Sequence, residues 1–245
     1  MRYRARLTGI VGLAFLCLCT ASVGREAEVR GRVSVVAQNG TAESGRNNGV
    51  VVWLTPLSDE ARSESRAQPG TPHLKLVQKG KRFSPHILAV QLGSWVDFPN
   101  RDPFFHNVFS LFEGKRFDLG LYEAGSTRSV RFDRPGICYI FCNIHPQMSA
   151  VVVVVDTPYF TLANDAGEFL LSSVRAGNYR LNVWEEHCTP ETLKKLSHEV
   201  VVGQVTATIE PVQLREARET VVLHPNKYGS SYDPQVFSDP IYTQP

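Results

Sequence analysis

The sequence predicts an all-β fold, because short runs of strand-forming residues are separated by Gly, Pro, Asn and Asp along its 245 residues. Hydrophobic residues make up 42% and charged residues 20% of the chain, and this composition is typical of a globular protein. The length is sufficient for one large domain or two small ones. Since only one segment has a clear helical signature, we expect a β protein with one short helix.

The N-terminal segment has the features of a secretory signal peptide. A basic start with three Arg precedes an apolar stretch at 7–19, and small residues follow as far as Gly24. The apolar stretch is short for a membrane span. We therefore expect export to the periplasm or the extracellular space, with cleavage after Ala21 or Gly24 and no stable membrane span afterwards; a retained anchor is the alternative. Without residues 1–24 the formal net charge falls from +2 to −1, and no nucleic-acid partner is expected.

Strands are predicted in order along the rest of the chain. The first two, at 29–36 and 49–54, are interpreted as a hairpin, and a polar linker follows at 58–72. A run of five Val at 151–155 predicts a strand that is buried on both faces. The remaining predicted strands are at 87–92, 95–98, 106–109, 126–132, 137–142, 150–155, 159–163, 168–171, 178–184, 200–202, 205–209 and 220–223.

The helical signature lies near the C-terminal end. Thr189, Pro190 and Glu191 have the order of an N-cap, a first helical residue and an acidic first turn. A short helix is therefore predicted near 189–198. The last segment, 225–245, is rich in Pro, Tyr and Ser and is predicted to be an extended tail.

The strongest chemical signal is a Cys-x2-His-x2-Met motif formed by Cys142, His145 and Met148, with His106 upstream on a predicted strand. Two imidazoles, one thiolate and a distant thioether are the ligand set of a blue-copper centre. Met148 is also the only Met besides the initiator. Because the joint motif is much rarer by chance than any one of these residues, we predict one mononuclear copper ion at these four residues, cycling between Cu(I) and Cu(II).

Neighbouring residues are predicted to support these ligands. Asn107 is expected to tie its loop to the loop of Cys142 through side-chain hydrogen bonds, and Pro146 is expected to stiffen the ligand loop. The remaining histidines have no ligand-like spacing. The aromatic residues expected to keep water from the site are Phe104, Phe105, Phe109 and Phe141.

Residues 78–156 resemble the cupredoxins, and within them the amicyanin and plastocyanin branch. The resemblance implies a Greek-key β-sandwich, the same four copper ligands, and transfer of single electrons to an unidentified redox protein that docks near His145. The bulky segment 102–105 before His106 departs from the family pattern. The matching motifs are Phe83-Ser84-Pro85, Val90 to Gly93, Val96-Asp97-Phe98, Asn100-Arg101-Asp102, His106-Asn107-Val108, Pro135-Gly136 and Cys142 to Met148.

A second resemblance covers the strands after the copper domain. Thr161 to Phe169 and Val174 to Trp184 resemble the carboxypeptidase regulatory-like, or prealbumin and Cna-B-like, β-sandwich. The opening Gly-x-Val and Gly-x-x-Val strands of such domains occur here far earlier, at 31–33 and 49–54. We therefore predict that the cupredoxin domain is inserted into the second sandwich; in the alternative, the first hairpin extends the cupredoxin sheet. The predicted order is signal peptide 1–24, first sandwich strands 25–57, linker 58–72, cupredoxin domain 73–156, remaining sandwich strands 157–224 and tail 225–245.

The motifs favour an electron carrier over an enzyme. The chain has no Gly-x-Ser-x-Gly elbow and no evident carboxylate pair, so we expect no enzymatic activity. The alternatives are copper handling without a redox partner, and a structural or carbohydrate-binding-like module. Cys138 and Cys188 are expected to be two separate buried thiols, with a disulfide between them as the other possibility.

Overall fold

The structure is a computed structural model that describes residues 26–37, 40, 47–59, 62, 73–111, 114–217 and 226–231. Its regular structure is almost entirely β strand, which confirms the all-β fold class. The predicted signal peptide, the strand predicted at 220–223 and most of the linker and the tail lie outside these residues. In the part of the chain that is described, no helix has both the length and the hydropathy needed to span a bilayer.

The strands follow the predicted order closely, and a 3-10 turn lies at Asn47–Gly49. The predicted short helix is present as α1 (Pro190–Leu196), with Thr189 as its N-cap accepting a hydrogen bond from the Thr192 N–H. The strands are β1 (Glu26–Val36), β2 (Val51–Pro56), β3 (Leu74–Lys75), β4 (Val77–Gln78), β5 (Phe83–Ser84), β6 (Ile87–Gln91), β7 (Trp95–Pro99), β8 (His106–Ser110), β9 (Phe117–Tyr122), β10 (Thr127–Arg131), β11 (Gly136–Phe141), β12 (Ser149–Val155), β13 (Phe160–Leu162), β14 (Glu168–Arg175), β15 (Gly177–Trp184), β16 (His198–Val202), β17 (Ala207–Thr208) and β18 (Val212–Arg215).

Strands from the two ends of the described chain form one sandwich, called here the outer sandwich. One sheet contains β14, β1, β17 and β18, and the other has the order β13-β2-β15-β16. Apolar side chains of both sheets form a shared core, to which Val33 and Leu171 contribute from the first sheet and Leu54 and Leu181 from the second. The segments at 29–36 and 50–54 therefore pair with strands of 160–184, and 29–36 also pairs with β17 and β18. Among the described residues, neither segment pairs with strands of 87–155.

The prediction that the first two strands form a hairpin is wrong. β1 pairs with β14, β17 and β18, whereas β2 pairs with β13 and β15 in the opposite sheet. The physical reason is that Val33 and Leu54 cover the same core from opposite sides. A chain that crosses from one sheet to the other has the same alternating pattern as a hairpin, so the pattern does not distinguish the two.

Strands β3 to β12 form the second body, called here the inserted sandwich. A five-stranded sheet has the order β6-β12-β11-β8-β9, a three-stranded sheet has the order β10-β7-β3, and β4 pairs with β5. The core between them contains large rings such as Phe98 and Phe132, and it also contains Cys142 and Met148. The predicted strands did not include β3, β4, β5, β9 and β18, and the strand predicted at 205–209 is reduced to β17.

Strand β12 joins the two sandwiches. Val152 and Val154 belong to the core of the inserted sandwich, whereas Val151 and Val153 belong to a third core that also contains Trp184 of the outer sandwich. The predicted burial of the Val run on both faces is therefore confirmed, since each face packs on a different sandwich. Because this contact is apolar and continuous, it holds the two bodies together by burial of nonpolar area.

A polar contact between His86 and Glu186 adds to this interface. The His86 Nε2 lies 2.6 Å from the Glu186 Oε2, and the His86 Nδ1 lies 3.2 Å from the Ser149 carbonyl oxygen. The hydrogen bond to Glu186 raises the pKa of His86 above 6.5, although burial partly opposes it. The pair thus links the residue before β6 of the inserted sandwich to the segment that follows β15.

We expect this pair to make the stability pH-dependent. Because the pKa of His86 is higher in the folded protein than in the unfolded chain, its contribution is complete below about pH 6.5 and is lost as the pH rises through the raised value. His86→Gln should lower the free energy of unfolding by about 0.5–1 kcal/mol at pH 5.5, since the ring is half-exposed, and by less at pH 9. Urea unfolding at the two pH values measures this. Glu186→Gln should remove the same pH dependence, and an equal loss at both pH values would contradict the assignment.

Candidate metal centre

His106 begins strand β8, in which every residue is buried. Its Nδ1 faces the Cys142 Sγ at 3.7 Å, and its Nε2 lies 2.8 Å from the Asp102 Oδ2. The ring is therefore held from both sides. A carboxylate on the second ring nitrogen favours the N–H there, which leaves the lone pair on Nδ1, the atom that faces the thiol.

Asp102 is itself fixed by the backbone. Its carboxylate accepts hydrogen bonds from the Gly80 N–H at 2.6 Å and the Lys81 N–H at 3.0 Å. Burial raises the pKa of Asp102, but the hydrogen bonds from Lys81, the His106 ring and Gly80 outweigh it and lower the pKa overall. Asp102 is thus an ionised acceptor that orients His106. Asp102 was not among the predicted site residues, because the sequence shows it as part of the bulky segment 102–105 before His106.

The other ligand residues lie on the loop between β11 and β12. The Cys142 N–H donates to the Met148 carbonyl at 3.2 Å, and the Met148 N–H donates to the His145 carbonyl at 2.9 Å. These two bonds close the loop on itself, so Cys142 and His145 are held on one side of it. Pro146 is half-buried at the loop's outer turn.

Three of the four predicted ligands come together in space. His106, Cys142 and His145 are all buried, and their donor atoms lie within 4.8 Å of one another. The Cys142 Sγ is 3.7 Å from the His106 Nδ1 and 3.5 Å from the His145 Nδ1. An ion bound at about 2.3 Å to sulfur and about 2.05 Å to nitrogen, with an angle of roughly 105–120°, requires a sulfur–nitrogen separation of about 3.5–3.8 Å. Both sulfur–nitrogen separations therefore fit a single metal ion bound between the three residues.

The fourth predicted ligand, Met148, ends the same loop that carries Cys142 and His145. Its side chain is fully buried and belongs to the same core as Cys142. Its backbone closes the ligand loop. Its role as an axial ligand stays a prediction.

The protonation states suit metal binding. Burial lowers the pKa of His106, and burial, the His106 ring and the Lys81 ammonium lower the pKa of His145 to about 4. Both rings are therefore neutral donors near pH 7. Burial raises the pKa of Cys142, although the backbone N–H groups of Asn107, Ile144 and His145 partly oppose it. Only this thiol has to lose a proton when a metal binds, and the same three N–H groups stabilise the thiolate.

Of the four aromatic residues predicted to shield the site, one is seen to contact the ligand rings. Phe104 packs against both of them, with centroid distances of 5.2 Å to His106 and 5.6 Å to His145. Phe109 and Phe141 are buried and lie 5.9 Å apart, but neither belongs to the core that contains Cys142 and Met148, so their shielding role stays a prediction. Phe105, however, is 55% exposed, so it does not shield the site. Adjacent residues of an extended segment point to opposite sides, and here Phe104 takes the inward position.

The predicted role of Asn107 also needs correction. Its side-chain amide donates to the Asp118 Oδ1 at 2.7 Å rather than to the Cys142 loop, and its contact with Cys142 is made by the backbone N–H. The Cys142 loop is tied instead to the segment 226–231, because the Lys227 N–H donates to the Asn143 side-chain oxygen at 2.9 Å. The Lys227 ammonium also lies 3.0 Å from the Asp118 Oδ2. Part of the predicted tail therefore packs against the loops of the metal centre.

The three cysteines of the described residues are buried, and none forms a disulfide. Cys138 lies in the core of the inserted sandwich, and its sulfur accepts a hydrogen bond from the Lys115 N–H at 3.1 Å. Cys188 lies in the core of the outer sandwich. The expectation of two separate buried thiols is confirmed.

Comparison with known proteins gives matches only among solved structures: no family model and no curated protein matches the chain. A purple cupredoxin from Nitrosopumilus maritimus is 22% identical, with a TM-score of 0.31, and the match covers 34% of this chain and 99% of that one. A reduced, Cu(I) form of a proline-to-glycine mutant of amicyanin is 21% identical, with a TM-score of 0.32, covering 42% and 98%. A copper-containing nitrite reductase from Thermus scotoductus is 21% identical, with a TM-score of 0.33, covering 41% of this chain and 27% of that one. The resemblance of the outer sandwich to regulatory-like domains stays a prediction.

Proposed function

We propose that this protein binds one copper ion through His106, Cys142 and His145, with Met148 as a weak axial ligand, and that it carries single electrons between redox partners. The observation that carries the proposal is the pair of 3.5 and 3.7 Å separations between one buried sulfur and two buried imidazole nitrogens. Copper bound to such a mixed soft and borderline set supplies reversible one-electron chemistry. In line with the signal-like N-terminal segment, the proposed location is outside the cytoplasm.

The protein's own groups favour a ligand geometry that stays the same in both oxidation states. Asp102 restrains the His106 ring, three backbone N–H groups hold the Cys142 sulfur, and the closed loop restrains His145. Because little has to move when the charge changes, the reorganisation that slows electron transfer is small. The rigid, dry shell supports an electron carrier more than a site that has to release copper to another protein.

The partner is proposed to dock near His145. This ring is 8% exposed, so it lies just beneath the surface, and apolar area is exposed by Phe105, directly before β8, and by Leu121 on the neighbouring edge strand β9. Leu121 pairs with Asn107, the residue after a ligand, so the exposed apolar side chains adjoin the metal centre. Electron transfer with no turnover of an organic substrate is the role that these features support.

The test is to add one equivalent of Cu(II) to the purified metal-free protein. We expect stoichiometric binding, an intense visible band from thiolate-to-copper charge transfer, and fast reversible voltammetry. Copper binding with the band but with slow or irreversible electron exchange would favour copper handling instead. If no visible band develops, the copper proposal is wrong and the structural or carbohydrate-binding alternative gains weight.

Met148→Gln separates an axial ligand from a packing residue. A glutamine oxygen is a harder donor than a thioether, so it stabilises Cu(II), and we expect the copper to stay bound while the reduction potential falls. A fall of about 59 mV corresponds to a tenfold change in the ratio of Cu(II) to Cu(I) affinity, and we expect a change of at least this size. Met148→Leu, which keeps the apolar volume, should instead raise the potential. Equal potentials in all three proteins would show that Met148 only packs.

A further inference from the structure

A second group of metal-binding side chains lies in the outer sandwich, at the ends of β15 and β18. Glu185 and His187 follow β15 directly, and Glu216 follows β18. The Ala217 N–H donates to the His187 carbonyl at 2.9 Å, and the Glu216 N–H donates to the Val36 carbonyl at 3.0 Å. These backbone bonds bring together three side chains that are distant in sequence, which explains why the spacing of His187 gave no signal.

The donor atoms of this group are close together and mostly shielded from water. One oxygen each of Glu185 and Glu216 and one ring nitrogen of His187 lie within 4.8 Å of one another. The Glu185 Oε1 is 2.9 Å from the His187 Nδ1. Glu185 and Glu216 are only 4% and 7% exposed, whereas the side chain of His187 is 42% exposed. The group is therefore a buried pair of carboxylates with the imidazole at its solvent side.

Two buried carboxylates that lie close together favour a cation. A carboxylate that leaves water loses its hydration, and a second ionised carboxylate beside it adds repulsion. A divalent ion at the cluster would neutralise both acids.

We propose that Glu185, His187 and Glu216 form a second metal site, which takes a divalent ion of the Zn²⁺ type. Two carboxylate oxygens and one imidazole nitrogen are a donor set that Zn²⁺ accepts, and three protein ligands leave a position for water. Donors at about 2.1 Å from one ion are at most about 4.2 Å apart, and the donor atoms here all lie within 4.8 Å of one another, so binding requires at most a small movement. The side chain of His187 is 42% exposed, which leaves room for such a movement. This oxygen-rich set differs in kind from the sulfur-containing group in the inserted sandwich.

A divalent ion at this site would have a structural role. It would join the chain after β15 to the chain after β18, which belong to opposite sheets of the outer sandwich. The adjacent Glu186 contacts His86 of the inserted sandwich, so the same short segment also links the two bodies. An ion here would therefore stabilise the part of the outer sandwich on which the inserted sandwich rests.

The test is a calorimetric titration of the metal-free full-length protein with Zn²⁺, carried out in a Cys142→Ser background so that the first site lacks its thiolate. We expect one equivalent of Zn²⁺ to bind and the midpoint of thermal unfolding to rise with it. Glu216→Gln and His187→Ala, each in the same background, should weaken binding at least about tenfold, because loss of a ligand costs no less than loss of its supporting shell.

Glu186→Gln is the matched control, because it removes a neighbouring carboxylate that faces His86 instead of the cluster. It should bind Zn²⁺ as the background protein does. Circular dichroism confirms that each variant is folded before titration, and Glu185→Gln provides a further ligand variant should one of the others not fold. If the background protein binds no Zn²⁺, or if its Zn²⁺ is unaffected by the ligand variants and so sits elsewhere, the proposal is wrong.

Discussion

Cys142→Ser should abolish the visible charge-transfer band of the copper-loaded protein, whereas Cys138→Ser should leave it intact. The two residues are four positions apart, both are fully buried, and both belong to the core of the inserted sandwich. They differ in what their sulfur faces. The Cys142 Sγ lies 3.5 and 3.7 Å from two imidazole nitrogens, whereas the Cys138 Sγ accepts a hydrogen bond from the Lys115 N–H.

Comparing the two variants separates the loss of a metal ligand from the loss of core packing, because each change replaces a buried thiol by a hydroxyl of similar shape. Absorption spectra after addition of one equivalent of Cu(II), together with the copper content after dialysis, measure the outcome. Cys142→Ser should lose the band completely and bind copper at least about tenfold more weakly. If the band persists in Cys142→Ser, or disappears in Cys138→Ser, then the assignment of Cys142 as the thiolate ligand is wrong.

The metal centre shows which parts of a site can be predicted from a sequence. Cys142 and His145 are close in the chain, so a short loop alone brings them together, and His106 was inferred from its place on a strand. The carboxylate behind His106 was missed because Asp102 acts through the ring's second nitrogen, and the backbone bonds that make it an acceptor come from residues 80–81. No local sequence pattern predicts a contact between residues that are so far apart in the chain.

The fold shows a similar limit. The five Val of β12 predicted burial on both faces, since apolar residues at every position leave no face for water. Strand β9 was missed although Phe117, Leu119 and Leu121 alternate with Asp118 and Gly120, because Asp and Gly are residue types that are depleted in strands. In the structure Asp118 accepts hydrogen bonds from Asn107 and Lys227. The cluster of Glu185, His187 and Glu216 could not be predicted from the sequence, for the same reason that the role of Asp102 could not. Its members come together only through tertiary structure.

The contact between the two sandwiches leads to the other large expected effect, which concerns stability. Trp184→Ala should lower the free energy of unfolding by about 3–5 kcal/mol, the cost of deleting a large buried ring and leaving a cavity. Trp184 is 6% exposed and packs in the core that it shares with Val151 and Val153 of β12. Trp95 provides the control, because it is 39% exposed and stacks on the exposed ring of His73, so Trp95→Ala should cost less than about 1 kcal/mol.

Urea unfolding of the metal-free proteins, followed by circular dichroism, measures both changes, and Trp184→Phe gives a milder variant in case Trp184→Ala does not fold. Equal losses for Trp184→Ala and Trp95→Ala would mean that the two sandwiches do not depend on their shared core. The result also bears on the metal centre, because β12 begins directly after Met148 and continues the ligand loop into that core. If the outer sandwich serves to hold β12, then Trp184→Ala should also weaken copper retention while Trp95→Ala does not, since the ligand loop is anchored at one end by the strand that the outer sandwich covers.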